Sequence, residues 1–348
     1  MDALVERLVR EHHLDAEGFR TLLASGGGTT FDLLQKNAAE MVMCHFGRRV
    51  YIRGLIEVSN YCRNNCLYCG IRRDNRDVNR YRLTDEQILN ACATGYQLGF
   101  RTFVLQGGED MMLKDERLVP LVKTIHRQYP DCAITLSLGE RSPQSYRLLY
   151  EAGASRYLLR HEAASPLLYA QLHPDTMSWS NRISCLETLQ QIGYQTGMGM
   201  MIGAPGQTIE HLVEDLLLIQ HMKPQMVGIG PFIPHSQTPL GNNPAGSIEL
   251  TLMLISIVRL LLPSALIPST TALATLSPDA QMQGIVCGAN VIMPNLSPSD
   301  VRCNYEIYEG KASFGTEAAE GLSMLSDRLA AIGYEISYDK GDFELKDI

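Results

Sequence analysis

The sequence predicts an α/β protein that folds as a complete (β/α)8 barrel of the TIM type with an N-terminal helical extension. Three observations support this fold class. The chain has 348 residues, 45% of them hydrophobic, which suffices to bury one large barrel or two domains. Short β-branched, apolar segments alternate with segments of helical periodicity, a pattern typical of parallel sheets. We count eight short segments, the number of strands in a closed barrel.

The predicted elements follow one another in a regular order. Residues 1–48 have helical periodicity and are expected to form a cap on the barrel, which occupies residues 49–348. The eight predicted strands are residues 50–59, 102–106, 133–137, 156–160, 195–200, 226–230, 266–270 and 290–293. Capping patterns at Thr84 and Thr208 predict the start of two connecting helices. After Gly321 we expect a last helix and a short extended end.

Three cysteines follow the first predicted strand at the spacing C-x3-C-x2-C, namely Cys62, Cys66 and Cys69. A cubic four-iron cluster with only three protein thiolates keeps an open position on one iron, which is typical of a reactive site. Structural zinc is the alternative, and zinc needs a fourth Cys or His at short spacing. None follows Cys69, and His45 lies before the strand. The spacing therefore favours one [4Fe-4S] cluster.

Polar or glycine-rich residues follow each predicted strand, and the carboxyl ends of barrel strands meet at one mouth. The pair Gly107-Gly108 lets a ligand approach the backbone, unless it only forms a tight turn. Glu109 and Glu162 are acceptors suited to an ammonium group or a ribose, and Arg160 and Arg182 are donors suited to a carboxylate. Surface ion pairs are the alternative for these four charges.

Composition excludes several functions. The net charge of −8 and the absence of a Lys/Arg stripe argue against a nucleic-acid partner. The most apolar segment, residues 250–263, contains Arg259 and is shorter than the roughly 20 residues of a membrane span. The first residues lack the apolar core of a signal peptide, so we expect a cytoplasmic protein with nine reduced cysteines. Its partners should be small molecules or other proteins.

Motifs spread from Tyr51 to Gly310 resemble those of the HydE family of radical S-adenosylmethionine (SAM) enzymes. The cysteine loop with Tyr68 before its last Cys resembles radical SAM enzymes in general, whereas RYLLRHE, GIGPFIPH and NVIMPN resemble the HydE branch. The resemblance implies that SAM binds the open iron and is reductively cleaved to a 5'-deoxyadenosyl radical. It also implies a role in assembling the active-site cofactor of [FeFe]-hydrogenase, on the complete barrel shared with biotin synthase and methylornithine synthase.

The resemblance also implies roles for individual residues. It places Cys62, Cys66 and Cys69 on the cluster. It assigns cofactor contacts to Tyr68, Gln106, Gly108, Glu109, Ser137, Arg160, Glu162 and Arg182. It assigns the catalytic cavity to Arg53, Met200, Met201, Thr270 and Thr271, with Ile229, Pro231 and Asn295 beside them. The implied substrate is an organometallic iron species with cysteine, CO and cyanide ligands from a partner maturase, and the implied reductant is a ferredoxin or flavodoxin.

One departure from the family pattern is informative. Some members carry a second cysteine triplet after a motif like Tyr308-Glu-Gly310-Lys311, but residues 312–319 contain no cysteine here. Only Cys303 is near, so we expect a single cluster. Two other functions stay open: a methylornithine-synthase-like mutase acting on an amino acid, and a non-enzymatic iron-sulfur carrier. The sequence does not identify the substrate, because the cavity residues suit many small ligands.

Overall fold

The computed structural model describes residues 2–344. Three helices precede the first strand: α1 (Asp2–Glu11), α2 (Ala16–Ala24) and α3 (Thr29–Phe46). Helix α2 begins after Asp15, whose carboxylate accepts a 2.8 Å hydrogen bond from the Gly18 amide and so satisfies a free helix donor. The apolar faces of these helices are buried in the same hydrophobic core as the strands, through Val5, Leu8, Phe19, Leu22 and Leu34.

The first strand, β1 (Arg49–Ile52), belongs to a small sheet. The main sheet has six parallel strands in chain order: β2 (Gly54–Ser59), β3 (Thr102–Gly107), β4 (Ala133–Ser137), β5 (Ala154–Leu158), β6 (Gln195–Ile202) and β7 (Met226–Pro231). The connecting helices are α4 (Asp85–Gln97), α5 (Asp115–Gln128), α6 (Pro143–Glu151), α7 (Pro166–Leu172), α8 (Trp179–Ile192) and α9 (Ile209–Met222). All six carboxyl ends therefore lie at one edge.

The remaining chain completes the molecule beyond β7. It contains α10 (Ile248–Leu261), α11 (Thr271–Leu276), α12 (Pro278–Val286), β8 (Val291–Ile292), α13 (Leu322–Ala331) and β9 (Glu335–Ser337). Single 3-10 turns lie at Arg302–Asn304, Gly315–Glu317 and Ala319–Gly321. Strands β8, β1 and β9 form a parallel three-stranded sheet with β1 in the middle. The last strand thus returns to the first.

Two predicted strands differ from the observed ones in their pairing, and the other six agree with the observed strands to within two residues at either end. The first is divided at Arg53, because β1 pairs with β8 whereas β2 pairs with β3. Residues 266–270 form no regular strand and make only isolated bridges, Met226 with Leu266 and Pro268 with Val291. Pro268 has no amide hydrogen to donate, which prevents a continuous ladder there.

Helix α10 explains the most apolar segment of the sequence. Every residue from Thr251 to Leu261 is buried, Arg259 included. The Arg259 guanidinium donates 2.8 Å hydrogen bonds to the carbonyls of Gly288, Pro263 and Ala265, which offset much of the cost of burying its charge. Within residues 2–344 no helix has both the length and the apolar character needed to cross a membrane.

Candidate active site

The cysteine loop follows β2 and is held by side chains rather than by regular secondary structure. The Arg80 guanidinium donates to the carbonyl of Asn60 and, at 2.8, 2.6 and 3.1 Å, to the carbonyls of Ile71, Arg72 and Asn75. One cation therefore ties both ends of the loop together. Sequence reasoning missed Arg80, since an arginine in a polar loop carries no signal of this role.

Two glycines allow neighbouring segments to approach the cysteine loop. A Cβ atom on Gly108 would lie 2.3 Å from the Tyr61 carbonyl oxygen and 2.8 Å from Cβ of Cys62. A Cβ atom on Gly70 would lie 2.2 Å from the Glu306 carbonyl oxygen and 2.3 Å from the His235 ring. Because backbone atoms are involved, a side chain at either position would displace the loop. The strand-end glycine therefore supports the cysteine loop directly.

Burial determines the electrostatics of the three thiols. It raises the pKa of Cys62, raises the pKa of Cys66 well above its ordinary value and raises the pKa of Cys69 to about 12. Neighbouring thiols add like charge to the Cys66 and Cys69 sites. Burial therefore favours the neutral thiols, and a coordinated metal would stabilise the deprotonated form that binds iron.

The donor set suits an iron-sulfur cluster better than one ion. Within residues 2–344, no three His, Cys, Asp or Glu side chains are placed to hold a single metal ion. The irons of a cubane are separate atoms, so its three cysteines need not point to one centre, and thiolates are the usual ligands of such clusters. The three cysteines all line the same cavity and therefore fit this group.

That cavity, of about 320 Å³, lies at the carboxyl edge of the main sheet. Its walls include Cys62, Cys66 and Cys69, all eight predicted cofactor contacts (Tyr68, Gln106, Gly108, Glu109, Ser137, Arg160, Glu162 and Arg182), and Met201, Thr270 and Thr271. The ladder sets Glu57, Gln106 and Ser137 side by side at the ends of three adjacent strands. The structure thus brings these residues together, and their individual roles stay predictions.

Two predicted catalytic residues do not line this cavity. Arg53 lies between β1 and β2, near the strand starts, where its guanidinium contacts the sulfur of Met226 at 3.0 Å. Met200 is buried in the main hydrophobic core, whereas Met201 lines the cavity, because successive strand residues face opposite sides. Arg53 and Met200 therefore lie outside the lining of this cavity, and their catalytic roles stay predictions. Ile229 and Asn295 are also outside the lining.

The charged side chains of the cavity are paired within the protein. Arg182 is bound to Glu140 at 2.6 Å, and although burial opposes its charge, Tyr169 and Glu140 raise its pKa overall. Glu109 accepts a 2.9 Å bond from Arg63. Three further polar atoms have no hydrogen-bond partner among the described residues: Arg160 Nε, Glu162 Oε2 and Thr270 Oγ1. These atoms are available to a polar ligand.

Similarity to known proteins decides the family. The radical SAM superfamily matches residues 56–219. The "[FeFe] hydrogenase maturase subunit HydE" of Thermotoga maritima is 49% identical over 280 residues, 80% of this chain and 80% of the relative. The chain belongs to the HydE family. It is therefore a radical SAM enzyme, a family whose members use SAM and a [4Fe-4S] cluster.

HydE-family chains share their fold with enzymes of other activity. The 3-methylornithine synthase of Methanosarcina acetivorans is 28% identical over 340 residues, 96% of this chain and 94% of the relative. A crystal structure of methylornithine synthase (PylB) matches with a TM-score of 0.83 at 27% identity, covering 96% of this chain and 97% of the other. The difference in identity, rather than the fold, separates the HydE family from methylornithine synthase.

Sequence reasoning missed a buried ion pair in this HydE-family cavity. Lys311 Nζ lies 2.7 Å from Glu57 Oε1, and Asn295 donates a 2.8 Å bond to Glu57 Oε2. Lys311 lines the cavity together with Tyr305, whose ring lies 5.6 Å from the ammonium nitrogen, and Tyr308. The motif Tyr308-Glu-Gly310-Lys311 could have indicated Lys311 as a cavity residue, but it was interpreted only in terms of the cysteines missing after it.

His173 is a second residue that the sequence did not indicate. The Tyr68 hydroxyl lies 3.2 Å from His173 Nε2, and His173 Nδ1 lies 2.8 Å from the Tyr169 carbonyl. Burial lowers the pKa of His173 to about 3, so the ring is neutral. Its proton must be on Nδ1, facing the carbonyl, and Nε2 therefore accepts from Tyr68. This bond fixes the Tyr68 ring beside the cysteines.

Proposed function

We propose that this chain is a maturase that helps to assemble the di-iron cofactor of [FeFe]-hydrogenase by radical SAM chemistry. The observation that carries the proposal is the 49% identity to the Thermotoga maritima maturase, against 28% to the 3-methylornithine synthase. The cavity supports it, because three thiols and the charges assigned to SAM lie on its walls. A pure iron-sulfur carrier would not need this enclosed set of charges.

In the proposed mechanism, Cys62, Cys66 and Cys69 would hold one [4Fe-4S] cluster, which would pass one electron from an external reductant to SAM and so give methionine and the 5'-deoxyadenosyl radical. Arg160, Glu162 and Arg182, with Gln106 and Ser137, orient SAM by polar contacts. Tyr68 stays beside the cysteines through its bond to His173. The internal ion pairs keep these groups in position before ligand arrives, which lowers the cost of binding.

The substrate is proposed to enter the same cavity as a small organometallic iron species from another maturase. Thr270 and Thr271 offer hydroxyl groups and Met201 offers a polarisable thioether, while the Lys311 ammonium group on the same wall is paired with Glu57. An acidic redox protein, ferredoxin or flavodoxin, is the proposed reductant. Tyr305 and Tyr308 add two aromatic rings to the wall of the cavity.

We also infer that the chain forms a complete (β/α)8 barrel, in which residues 1–48 are the cap and residues 49–348 the barrel; residue 1 and residues 345–348 of these ranges lie outside the described residues. Isolated parallel bridges support closure, since they join Met226 to Leu266, Pro268 to Val291 and Asn295 to Leu55. Together they link both edges of the main sheet to the small sheet. Closure matters for function because it leaves the strand ends as the entrance to the cavity.

The test is restoration of hydrogenase activity in a host that expresses an [FeFe]-hydrogenase but lacks its own HydE-type maturase. The parent chain should restore activity, Cys66→Ala should not, and Cys185→Ala, a buried cysteine outside the cluster motif, should behave like the parent. In parallel, the reconstituted protein is given SAM, dithionite and lysine. Conversion of lysine to methylornithine without any hydrogenase activation would favour the mutase, and absence of SAM cleavage would favour the carrier.

A further inference from the structure

Glu162 is at the centre of an uncommon backbone turn. The amide of Ala163 donates a 2.9 Å hydrogen bond to the carbonyl of His161, which closes a three-residue γ-turn around Glu162. Glu162 has a φ of +65°, so this is the rarer and strained form of the turn, which non-glycine residues seldom adopt. The turn directs the side chain into the cavity, where Glu162 is one of the walls.

A carboxylate on a neighbouring helix holds both sides of this turn. Asp215, in α9, accepts at its Oδ1 atom a 2.6 Å hydrogen bond from the Ala164 amide, and the same atom lies 3.1 Å from His161 Nε2. The Gly199 amide lies 3.3 Å from His161 Nδ1 and donates to it, so the proton is on Nε2 and points to Asp215. Asp215 therefore binds the residue before Glu162 and the second residue after it.

The strand on the other side completes the restraint. Glu162 donates its amide to the Gly199 carbonyl at 3.0 Å, and Glu162 forms a parallel bridge with Met200. Gly199 is thus bound to both His161 and Glu162. A Cβ atom on Gly199 would lie 2.0 Å from the Gly228 carbonyl oxygen, so β6 and β7 are in close contact at this point. Strand β6 therefore cannot move away from Glu162 without disturbing β7. The conformation of Glu162 is fixed from two directions.

Fold stability alone gives a poor account of Asp215. Asp215 and His161 are both fully buried. Asp215 Oδ2 has no hydrogen-bond partner within the described part of the chain, and a buried carboxylate with an unsatisfied oxygen lowers stability. Joint replacement of a buried polar pair such as Asp215 and His161 by apolar residues of similar volume often costs little stability. The carboxylate is better explained by what it holds, since strained backbone persists only where its surroundings impose it.

We infer that Asp215 and His161 are positioning residues that hold Glu162 in its strained conformation and so set its carboxylate for SAM. This inference rests on the proposed SAM-binding role of Glu162 and deepens it. Neither Asp215 nor His161 lines the cavity. Their effect on SAM must therefore pass through Glu162, which distinguishes them from direct contacts and provides the test.

The experiment measures SAM dissociation constants by anaerobic equilibrium dialysis of reconstituted protein without reductant. Asp215→Leu removes both acceptor contacts and should raise the SAM dissociation constant about tenfold or more, as expected when a charged contact is misplaced. Asp215→Asn keeps an acceptor oxygen and should weaken SAM by less than about threefold. In Glu162→Gln protein, adding Asp215→Leu should change the SAM dissociation constant by less than about twofold. Asp215 acts on SAM through the Glu162 carboxylate, which this protein already lacks.

Two further variants separate positioning from general destabilisation. Leu216→Ala creates a cavity beside Asp215 on the same helix and should lower the melting temperature without changing SAM affinity. His161→Phe keeps a ring but removes both polar nitrogens, and should weaken SAM even if Asp215→Leu does not fold. Hydrogen exchange of the Ala164 and Gly199 amides, measured without SAM, should be slow in the parent. It should be faster in Asp215→Leu and His161→Phe, which remove the acceptors of these two amides.

The outcomes are distinct. If Glu162→Gln weakens SAM but Asp215→Leu and His161→Phe do not, the inference is overturned and the proposed function stands. Equal weakening by Asp215→Leu with and without Glu162→Gln would also overturn it, because the effect would then be general. If Glu162→Gln has no effect, the SAM role of Glu162 fails and the inference fails with it.

Discussion

At the scale of single residues, the cavity contains more internal pairing than its sequence motifs suggest. Arg182 is bound to Glu140 and Glu109 to Arg63. A ligand entering this cavity meets side chains that already have partners, so little side-chain entropy remains to be lost on binding. The exception is the pair Arg160 and Glu162, which approach at 3.3 Å but keep unsatisfied atoms.

The buried His173 makes stability depend on pH. Its folded pKa of about 3 lies below its ordinary 6.5, so the unfolded chain takes up a proton that the native protein refuses. His173→Gln should therefore lose less stability than the parent as the pH falls from about 6.5 to about 4, a difference of a few kcal/mol. Urea unfolding at several pH values measures it. The exposed His13→Gln should match the parent, and parallel curves for parent and His173→Gln would refute the assignment.

At the scale of elements, the cysteine loop depends on close backbone contact with the end of β3. Gly108 donates a 3.1 Å hydrogen bond to the Ser59 carbonyl, and Arg63 donates a 2.9 Å bond to the Glu109 carbonyl. The loop thus lies directly against the turn that follows β3. Its geometry is therefore determined by two chain segments and by Arg80, rather than by the cysteine motif alone.

This contact predicts different effects for two adjacent glycines. Gly108→Ala would place a Cβ atom 2.3 Å from the Tyr61 carbonyl oxygen and should displace the loop, reducing bound iron and SAM cleavage. Gly107→Ala meets nothing closer than 3.2 Å and should retain most of both. Neither position has a positive φ, so only space distinguishes them. Iron content after anaerobic reconstitution measures the effect, and equal loss in both variants would contradict it.

At the scale of the whole molecule, residues 340–342 bind the end of the main sheet that lies opposite the cavity. Arg156, fully buried, donates to the carbonyls of Lys340 and Gly341 at 3.0 and 2.9 Å and pairs with Asp342 at 2.7 Å. Arg53 lies in the same region, and burial together with the charge of Arg156 lowers its pKa well below the ordinary value. These arginines therefore belong to the base of the fold.

The proposal of one cluster is a prediction about the whole chain. Reconstituted protein should contain about four irons per chain, the content of a single cubane. Cys303→Ser should change neither the iron content nor the spectrum, because Cys303 is exposed and residues 312–319 carry no thiol. Elemental analysis and electron paramagnetic resonance after desalting measure this. About eight irons per chain, with a signal lost in Cys303→Ser, would show a second cluster.

The sequence by itself determined the chemistry and the residues at the strand ends. A cysteine spacing, a glycine pair and charged residues after successive strands are local patterns, and parallel strands necessarily bring their carboxyl ends to one edge. For this reason the predicted cofactor contacts, from Tyr68 to Arg182, line one cavity. Family motifs then separated a maturase from other radical SAM enzymes.

The tertiary structure decided which side chains face that cavity and what holds them. Met200 and Arg53 lie outside the cavity lining, because the register and pairing of a strand, which depend on its neighbours, fix the direction and depth of each side chain. The side chains that sequence reasoning missed contact partners distant in the sequence, in most cases on another element. These side chains are Arg80, His173, Lys311 and Asp215. Such contacts form only when the chain is folded, and no local sequence pattern predicts them.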